Sequence, residues 1–258
     1  MSEETRRAVR PAKLLTQNSQ LRALGIYNWT LPAWAGRFED DGSSFNTCPS
    51  AGVCAKLCYA RTNAYRYPIV RRRHQQNLRY VLDDLPDWEK AMTAELSHKK
   101  FRGKWIRIHD AGDFFSDDYL SAWLRIMTAC PDSTFYAYTK EVPRFRRLVE
   151  PEHPWNFKWV YSLGGKYDSM LDPAYDRVAD VFPSEEAIAE LGWFSQLADD
   201  RLAVIGPAPV GMASNRILHL QKLQGHFRFG ELQKAHDERA QERRKRRTTT
   251  APPDAAPD

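Results

Sequence analysis

Apolar positions along the chain predict helices that alternate with strands between about residues 85 and 205. Leu85, Trp88, Met92 and Leu96 recur at helical spacing, so we predict a helix over 85–97. Five other apolar segments are short enough to be strands. They cover residues 104–109, 134–138, 157–162, 178–182 and 202–205.

Three more helices are predicted between these strands. Ser116 is a candidate N-cap for a helix that Pro131 ends. A short basic helix is predicted over 142–149, and another helix after Ser184, where two acidic residues follow the cap.

This alternation indicates a parallel α/β fold. We favour a partial TIM-barrel-like arrangement of βα units over an open doubly wound sheet, although both have the same pattern of elements. With 258 residues, of which 42% are hydrophobic, the chain can form a single such domain over residues 21–232. Residues 1–20 are predicted to be a polar leader, and 233–258 a charged, mostly disordered tail.

The chain contains no segment typical of secretion or membrane insertion. The first residues lack the apolar core of a signal peptide, and no run of about 18 apolar residues occurs. We therefore expect a cytoplasmic protein without a membrane partner, in a compartment that keeps thiols reduced.

Three of the four cysteines lie within residues 46–60, a segment that we call the cysteine loop. Cys48, Cys54 and Cys58 can together hold a metal ion or an iron–sulfur cluster and leave one coordination position open for chemistry. The alternative is a set of disulfide-bonded or unrelated thiols, which is less usual in a reducing compartment. Cys130, at a predicted helix end, is expected to be a small buried apolar residue.

A second group of candidate residues follows the strand predicted over 104–109. His109, Asp110 and Asp113 offer an imidazole and two carboxylates for acid–base chemistry or ligand binding, and Gly112 allows close approach of a ligand. The alternative is that Asp113 caps a turn and that His109 is a core residue.

Other predicted strands also end in polar residues, among them Lys140 and Ser162. Because ligands bind at the carboxyl ends of parallel strands, we expect these residues to share one pocket with Asp113.

The segment after the cysteine loop is basic and rich in tyrosine. It has no acidic residue between Cys58 and Asp83. Its positive charges could bind the phosphates of a nucleic acid while its rings stack on bases, or they could simply form a solvated helix face. The arginines in question are Arg61, Arg66, Arg71, Arg72 and Arg73. The basic run over 243–247 could contact nucleic acid non-specifically or act as a solubilising tail.

Three motifs in this order resemble the mycobacteriophage gene product 88 family over about residues 20–225. They are Cys58-Tyr59-Ala60, His109-Asp110-Ala111-Gly112-Asp113 and Tyr138-Thr139-Lys140. The same order is more distantly similar to the radical S-adenosylmethionine enzymes. That resemblance implies a partial TIM barrel with a [4Fe–4S] cluster that binds S-adenosylmethionine.

The resemblance also implies roles for particular residues. Cys48, Cys54 and Cys58 would be the cluster ligands, and Gly112 with Asp113 would bind the amino group of S-adenosylmethionine. Further contacts to this cofactor are expected from Lys140 and Ser162, and His109 and Asp110 are the candidate catalytic residues.

Three functional hypotheses remain open from the sequence. The first is a phage-encoded iron–sulfur enzyme of radical S-adenosylmethionine type, supplied by an electron donor and acting on nucleic acid or nucleotides. The second is a nucleic-acid-binding protein whose loop is held by zinc or a cluster without catalysis. The third is a metal-dependent hydrolase that uses His109, Asp110 and Asp113.

Overall fold

The protein is built from short strands and intervening helices. The computed structural model describes residues 10–214 and 217–249. The strands in this part of the chain are β1 (Tyr27–Trp29), β2 (Ala35–Arg37), β3 (Ser44–Asn46), β4 (Trp105–Ile108), β5 (Thr134–Thr139), β6 (Phe157–Ser162), β7 (Val178–Phe182), β8 (Phe194–Ser195) and β9 (Val210–Ala213).

The helices differ widely in length. They are α1 (Ser19–Ala23), α2 (Pro68–Asp83), α3 (Leu85–Leu96), α4 (Asp117–Ala129), α5 (Val142–Leu148), α6 (Glu185–Glu190), α7 (Leu202–Ile205), α8 (Leu218–Gln224) and α9 (Phe229–Thr249).

Seven strands form one parallel sheet in the order β1, β4, β5, β6, β7, β9, β8. β2 and β3 form a separate antiparallel pair. The predicted parallel α/β fold is thus confirmed. A TIM barrel is not shown, because within the described residues no pairing joins the outer strands β1 and β8.

The two faces of the sheet bury different side chains, since successive residues of a strand point in opposite directions. On one face, Ile106 and Phe135 belong to a large core that is covered by α2, α3, α4 and α5. On the other face, Tyr136 lies in a smaller core that Ala203 and Val204 of α7 help to close. Helices α2 to α5 therefore cover one face, and the short helices α1 and α7 contribute to covering the other.

Most predicted elements in the middle of the chain are confirmed. The hydroxyl of Ser116 accepts the amide of Tyr119 and so caps α4, as expected. The strand predicted over 202–205 is wrong: this segment is the helix α7, and the strand follows as β9. A short apolar run has no periodicity that distinguishes a strand from a buried helical turn.

The predicted ends of the domain need two corrections. Residues 10–20 are not merely a polar leader, because Leu14 and Leu15 are buried in the large core; residues 1–9 lie outside the described residues. The tail is helical from residue 233 to Thr249 as part of α9, although disorder was predicted. Residues 250–258 lie outside the described part. No helix in the described ranges is long and apolar enough to span a bilayer.

A buried carboxylate on β7 anchors the beginning of α9. Asp180 accepts a hydrogen bond from the guanidinium of Arg228 at 2.9 Å and another from the amide of Gly230 at 3.1 Å. Burial raises the pKa of Asp180 to about 6, although Arg228 and the backbone amides of Gly230 and Val181 oppose the shift. The charged form is therefore less favourable in the folded protein than in the unfolded chain.

This raised pKa predicts a pH-dependent stability. The contribution of Asp180 to the free energy of unfolding is complete below about pH 4 and is lost as the pH rises to about 6. We expect the wild-type protein to lose stability relative to Asp180→Asn across that interval, as measured by urea unfolding at several pH values. A difference between the two proteins that stays constant with pH would contradict this prediction.

Candidate functional site

The cysteine loop crosses the carboxyl ends of neighbouring strands. After β4, the amide of Asp113 donates to the carbonyl of Thr47 at 2.8 Å. After β6, the carbonyl of Gly164 accepts the amides of Gly52 and Cys54 at 3.2 and 3.1 Å. The loop is therefore fixed to the sheet edge at which parallel α/β proteins bind ligands.

Two buried side chains from other elements also hold this loop. Glu141, which follows β5, accepts the amide of Ser50 at 3.0 Å. Gln233, on α9, accepts the amide of Val53 at 2.7 Å. Both bonds satisfy backbone donors that the loop does not pair within itself, so β5 and α9 help to set its shape.

Cys48, Cys54 and Cys58 are free, half-buried thiols. Burial raises the pKa of Cys48 above its ordinary range and that of Cys58 to about 12. A negative charge on Cys54 would raise both pKa values further. Cys48 and Cys58 are consequently protonated at neutral pH, and binding of a metal would have to displace those protons.

Donors to sulfur lie next to two of these cysteines. The backbone N–H of Trp34 and the hydroxyl of Thr47 both lower the pKa of Cys48, and Thr47 Oγ1 lies 3.7 Å from Cys48 Sγ. The groups that lower the pKa of Cys58 are the backbone N–H of Ala60 and the positive charges of Arg61 and Lys140. The N–H groups and the positive charges would stabilise a metal-bound thiolate, whereas the hydroxyl of Thr47 already donates to the carbonyl of Pro32 at 2.6 Å.

The three thiols offer the ligand type that iron–sulfur clusters use. Within residues 10–214 and 217–249, no three His, Cys, Asp or Glu side chains are placed to hold a single metal ion. Cys130 is buried as predicted, at the amino end of β5, where its thiol points to the carbonyl of Thr93. The cysteine loop lies at the opposite edge of the sheet.

Asp113 connects the ends of β4 and β5. Its Oδ1 accepts the amide of Phe114 at 2.8 Å and the hydroxyl of Thr139 at 2.7 Å, and its Oδ2 accepts the amide of Lys140 at 2.8 Å. Burial and the negative charge of Glu141 raise the pKa of Asp113. Because three protein donors already occupy this carboxylate, little of its hydrogen-bonding capacity remains for a ligand.

Lys140 and Ser162 lie together, but they bind each other. The ammonium of Lys140 donates to Ser162 Oγ at 2.7 Å and to the carbonyls of Ser162 and Leu163 at 2.9 Å. These bonds use all three donors of the ammonium group. The lysine thus links the ends of β5 and β6 and places its positive charge near Cys58.

His109 and Asp110 are adjacent in sequence but have separate surroundings. His109 Nε2 lies 2.9 Å from the hydroxyl of Tyr119, among aromatic rings of the large core, and burial lowers its pKa to about 3. Asp110 instead accepts the hydroxyl of Tyr65 at 2.6 Å and lies 3.8 Å from the guanidinium of Arg107. The structure therefore does not bring the two predicted catalytic groups into one site.

Sequence reasoning missed the polar cluster around Arg107. This guanidinium binds the carboxylate of Asp200 at 3.1 Å and lies 4.9 Å from the ring of Tyr138, whose hydroxyl donates to Asp200 at 3.2 Å. Tyr59, next to Cys58, donates its hydroxyl to the carbonyl of Asp110 at 2.6 Å. The strand sequences contained a signal for this cluster, because Arg107 and Tyr138 alternate with core residues and so lie on one face of the sheet. Nothing in the sequence indicates that Asp200 belongs to it.

The basic segment forms part of α2 and the turns before it, and its arginines differ in their pairing. Arg71 forms an ion pair with Glu39, and burial lowers the pKa of the half-buried Arg73. Arg61 is exposed and lies over the ring of Trp34 at 4.8 Å. Arg66 and Arg72 are exposed as well.

Comparison with known proteins identifies the relatives of this chain. The sequence profile of the family described as Gene product 88 matches residues 5–248. The chain belongs to the Gene product 88 family.

Two curated members of similar sequence come from bacteriophages. The Gene 88 protein of Mycobacterium phage D29 is 35% identical over 107 residues, and that of Mycobacterium phage L5 is 34% identical over 107 residues. Each alignment covers 38% of this chain and 44% of the relative, so the chain spans less than half the length of these Gene 88 proteins. These relatives support a bacteriophage origin. No solved structure matches the chain.

In this Gene product 88 family member, Gly112 fits its position for two reasons. Its φ angle of +88° lies in the left-handed region, and a Cβ there would meet Leu31 Cβ at 2.8 Å. Gly103 also has a positive φ, of +68°, but a Cβ would find nothing within 4 Å. The two glycines therefore separate backbone strain from steric conflict.

We expect Gly112→Ala to lower the free energy of unfolding more than Gly103→Ala does. The left-handed conformation alone costs about 1–2 kcal/mol in either variant, and the contact with Leu31 adds about 1–3 kcal/mol at Gly112. Urea unfolding of both variants measures the difference. Equal losses of unfolding free energy in the two variants would show that the segment around residue 112 moves away from Leu31 without cost.

Proposed function

We propose that this protein is an iron–sulfur protein whose Cys48, Cys54 and Cys58 bind a [4Fe–4S] cluster. The observation that carries the proposal is the placement of three half-buried thiols, in one loop, at the carboxyl edge of the parallel sheet. Burial raises the pKa of both Cys48 and Cys58, and the N–H donors beside them and the positive charges near Cys58 oppose part of that shift. Three protein ligands leave one iron of such a cluster open to a small molecule.

We further propose that the open iron serves chemistry of the radical S-adenosylmethionine type. When bound, such a cluster supplies one electron that cleaves S-adenosylmethionine into methionine and a 5′-deoxyadenosyl radical, and this requires an electron donor. The order β1, β4, β5, β6, β7 follows the chain, as in a partial barrel of βα units. We regard the sheet as such a partial barrel, in a protein that works in the host cytoplasm.

In this proposal the residues at the strand ends have positioning roles. Asp113 and Lys140 hold β4, β5 and β6 in register beneath the loop, since their polar groups are largely occupied by protein partners. Arg107, Asp110 and Tyr59 form a polar wall next to Cys58 and are the candidates for substrate contact. We assign no chemical step to His109, because it lies within the aromatic core.

We do not propose the hydrolase that would use His109, Asp110 and Asp113. The three side chains bind different partners: His109 pairs with Tyr119, Asp110 with Tyr65, and Asp113 with Thr139. No shared ligand position follows from that arrangement.

The cluster proposal predicts that the loop cysteines, and not Cys130, are required for metal content. Protein purified without oxygen should contain about four irons and four sulfides per chain. We expect Cys48→Ala, Cys54→Ala and Cys58→Ala each to lose most of this iron, as measured by iron, sulfide and zinc analysis together with the absorption spectrum. Cys130→Ala is the matched control and should retain it.

The outcomes of this experiment separate the parts of the proposal. Iron retained after replacement of all three loop cysteines would overturn it, and one zinc without colour would favour the second candidate function. If the cluster is present, reduction in the presence of S-adenosylmethionine should yield 5′-deoxyadenosine. A loaded cluster that forms none would leave an iron–sulfur protein without this radical chemistry.

The second candidate function is nucleic-acid binding, with the loop held by zinc or a cluster. Its support is the exposure of Arg61, Arg66 and Arg72 along one stretch of the chain, together with the exposed ring of Tyr67. Exposed guanidinium groups can pair with phosphates, and the tyrosine offers a surface on which a base can stack. This binding is also compatible with an iron–sulfur enzyme that acts on nucleic acid.

This second function predicts a salt-dependent affinity for a short single-stranded oligonucleotide. We expect the combined variant Arg66→Glu and Arg72→Glu to weaken binding about tenfold or more at low salt, because it replaces two phosphate contacts by repulsion. The control is Lys90→Glu, a charge reversal at an exposed position on α3. Fluorescence anisotropy at several salt concentrations makes the comparison. Equal affinity for the arginine variant and the control would exclude a specific role of this surface.

A further inference from the structure

A groove lies between the cysteine loop and the helices α8 and α9. On α9 it is lined by residues within 231–244, and it has a volume of about 880 Å³. The groove exists because α9 packs against the loop at Gln233, in a segment for which the sequence predicted disorder. It lies apart from the basic segment of α2.

The floor of the groove is apolar and largely aliphatic. Val53 and Leu57 contribute to it from the cysteine loop, Leu223 from α8, and Leu232 from α9, with Phe227 between the helices. Leu223 is 64% exposed and Phe227 is 57% exposed, so this apolar surface faces solvent. Exposed apolar side chains that cluster around a concavity are typical of an interaction surface.

The rim of the groove carries mostly positive charge. Lys56 on the loop and Arg239 and Arg243 on α9 are exposed and line it, with Glu231 as an acidic residue at one end. Arg239 and Arg243 are one helical turn apart, so both project along the same side of α9. A partner therefore meets an aliphatic floor and a basic edge.

From these features we infer that the groove binds an acidic amphipathic helix of a partner protein. Such a helix places its apolar face in the groove and its carboxylates against the basic rim. A single-stranded nucleic acid fits less well, because Phe227 is the one large aromatic ring among the described residues that line the groove. Base stacking needs a series of such rings.

The inferred partner would contact the cysteine loop directly. Val53 and Leu57 in the floor are the chain neighbours of Cys54 and Cys58. The inference does not depend on a cluster in the loop, because the groove is formed by apolar side chains and by the packing of α9. Its test therefore contains no metal readout and can fail independently of the proposed function.

The test uses the full chain and a fluorescent synthetic peptide. The peptide has leucines at helical positions i, i+3, i+4 and i+7 and glutamates elsewhere. We expect saturable binding by fluorescence anisotropy, weakened by salt, and about tenfold weaker binding for Leu223→Asp and for Arg239→Glu.

Two matched controls lie on the same helices outside the groove. Leu218→Asp changes an α8 leucine that is 76% exposed, and Lys234→Glu reverses an exposed charge on α9. Both should bind the peptide as the wild-type protein does, and a peptide of the same composition in scrambled order should not bind. Absence of peptide binding, equal losses in groove and control variants, or displacement by a short oligonucleotide with the same dependence on Leu223 would overturn the inference.

Discussion

The candidate site depends on the hydrogen bonds that the buried carboxylate of Asp113 accepts. Burying a carboxylate costs several kcal/mol unless hydrogen bonds compensate it. Here the compensating donors come from Thr139 and Lys140 at the end of β5. The backbone amide of Asp113 donates to the carbonyl of Thr47, the residue before the first loop cysteine. Asp113 thus couples β4 to β5 through its side chain and β4 to the cysteine loop through its backbone, and separation of β5 from β4 leaves the buried carboxylate without two of its donors.

The same principle extends along the edge of the sheet and into the last helix. Lys140 uses its three donors on β6, Glu141 holds Ser50 of the loop, and Gln233 of α9 holds Val53. Each of these polar groups satisfies another one that the fold has removed from water. The cysteine loop is therefore shaped by residues that are far apart in the chain, and α9 completes both the loop and the groove beside it.

The sequence identified the polar residues at the strand ends, but it could not say which of them share a site. The case of His109 and Asp110 shows why. His109 has a φ of +66°, in the left-handed region, so the alternation of side chains along β4 does not continue past the strand end. His109 consequently enters the aromatic core, while Asp110 joins Arg107 and Tyr65. Asp200 could not have been found, because its role comes from a contact between distant segments.

Local sequence patterns determined those features of the structure that depend on residues close together in the chain. Alternating apolar segments specified the parallel α/β fold, capping by Ser116 specified the start of α4, and the grouping of Cys48, Cys54 and Cys58 marked the candidate site. Tertiary structure decided the rest. A short apolar run became α7 because its side chains close the small core, and α9 is ordered from Asp180 and Gln233 although its composition is that of a disordered tail. Such outcomes depend on burial against distant residues, which sequence spacing does not encode.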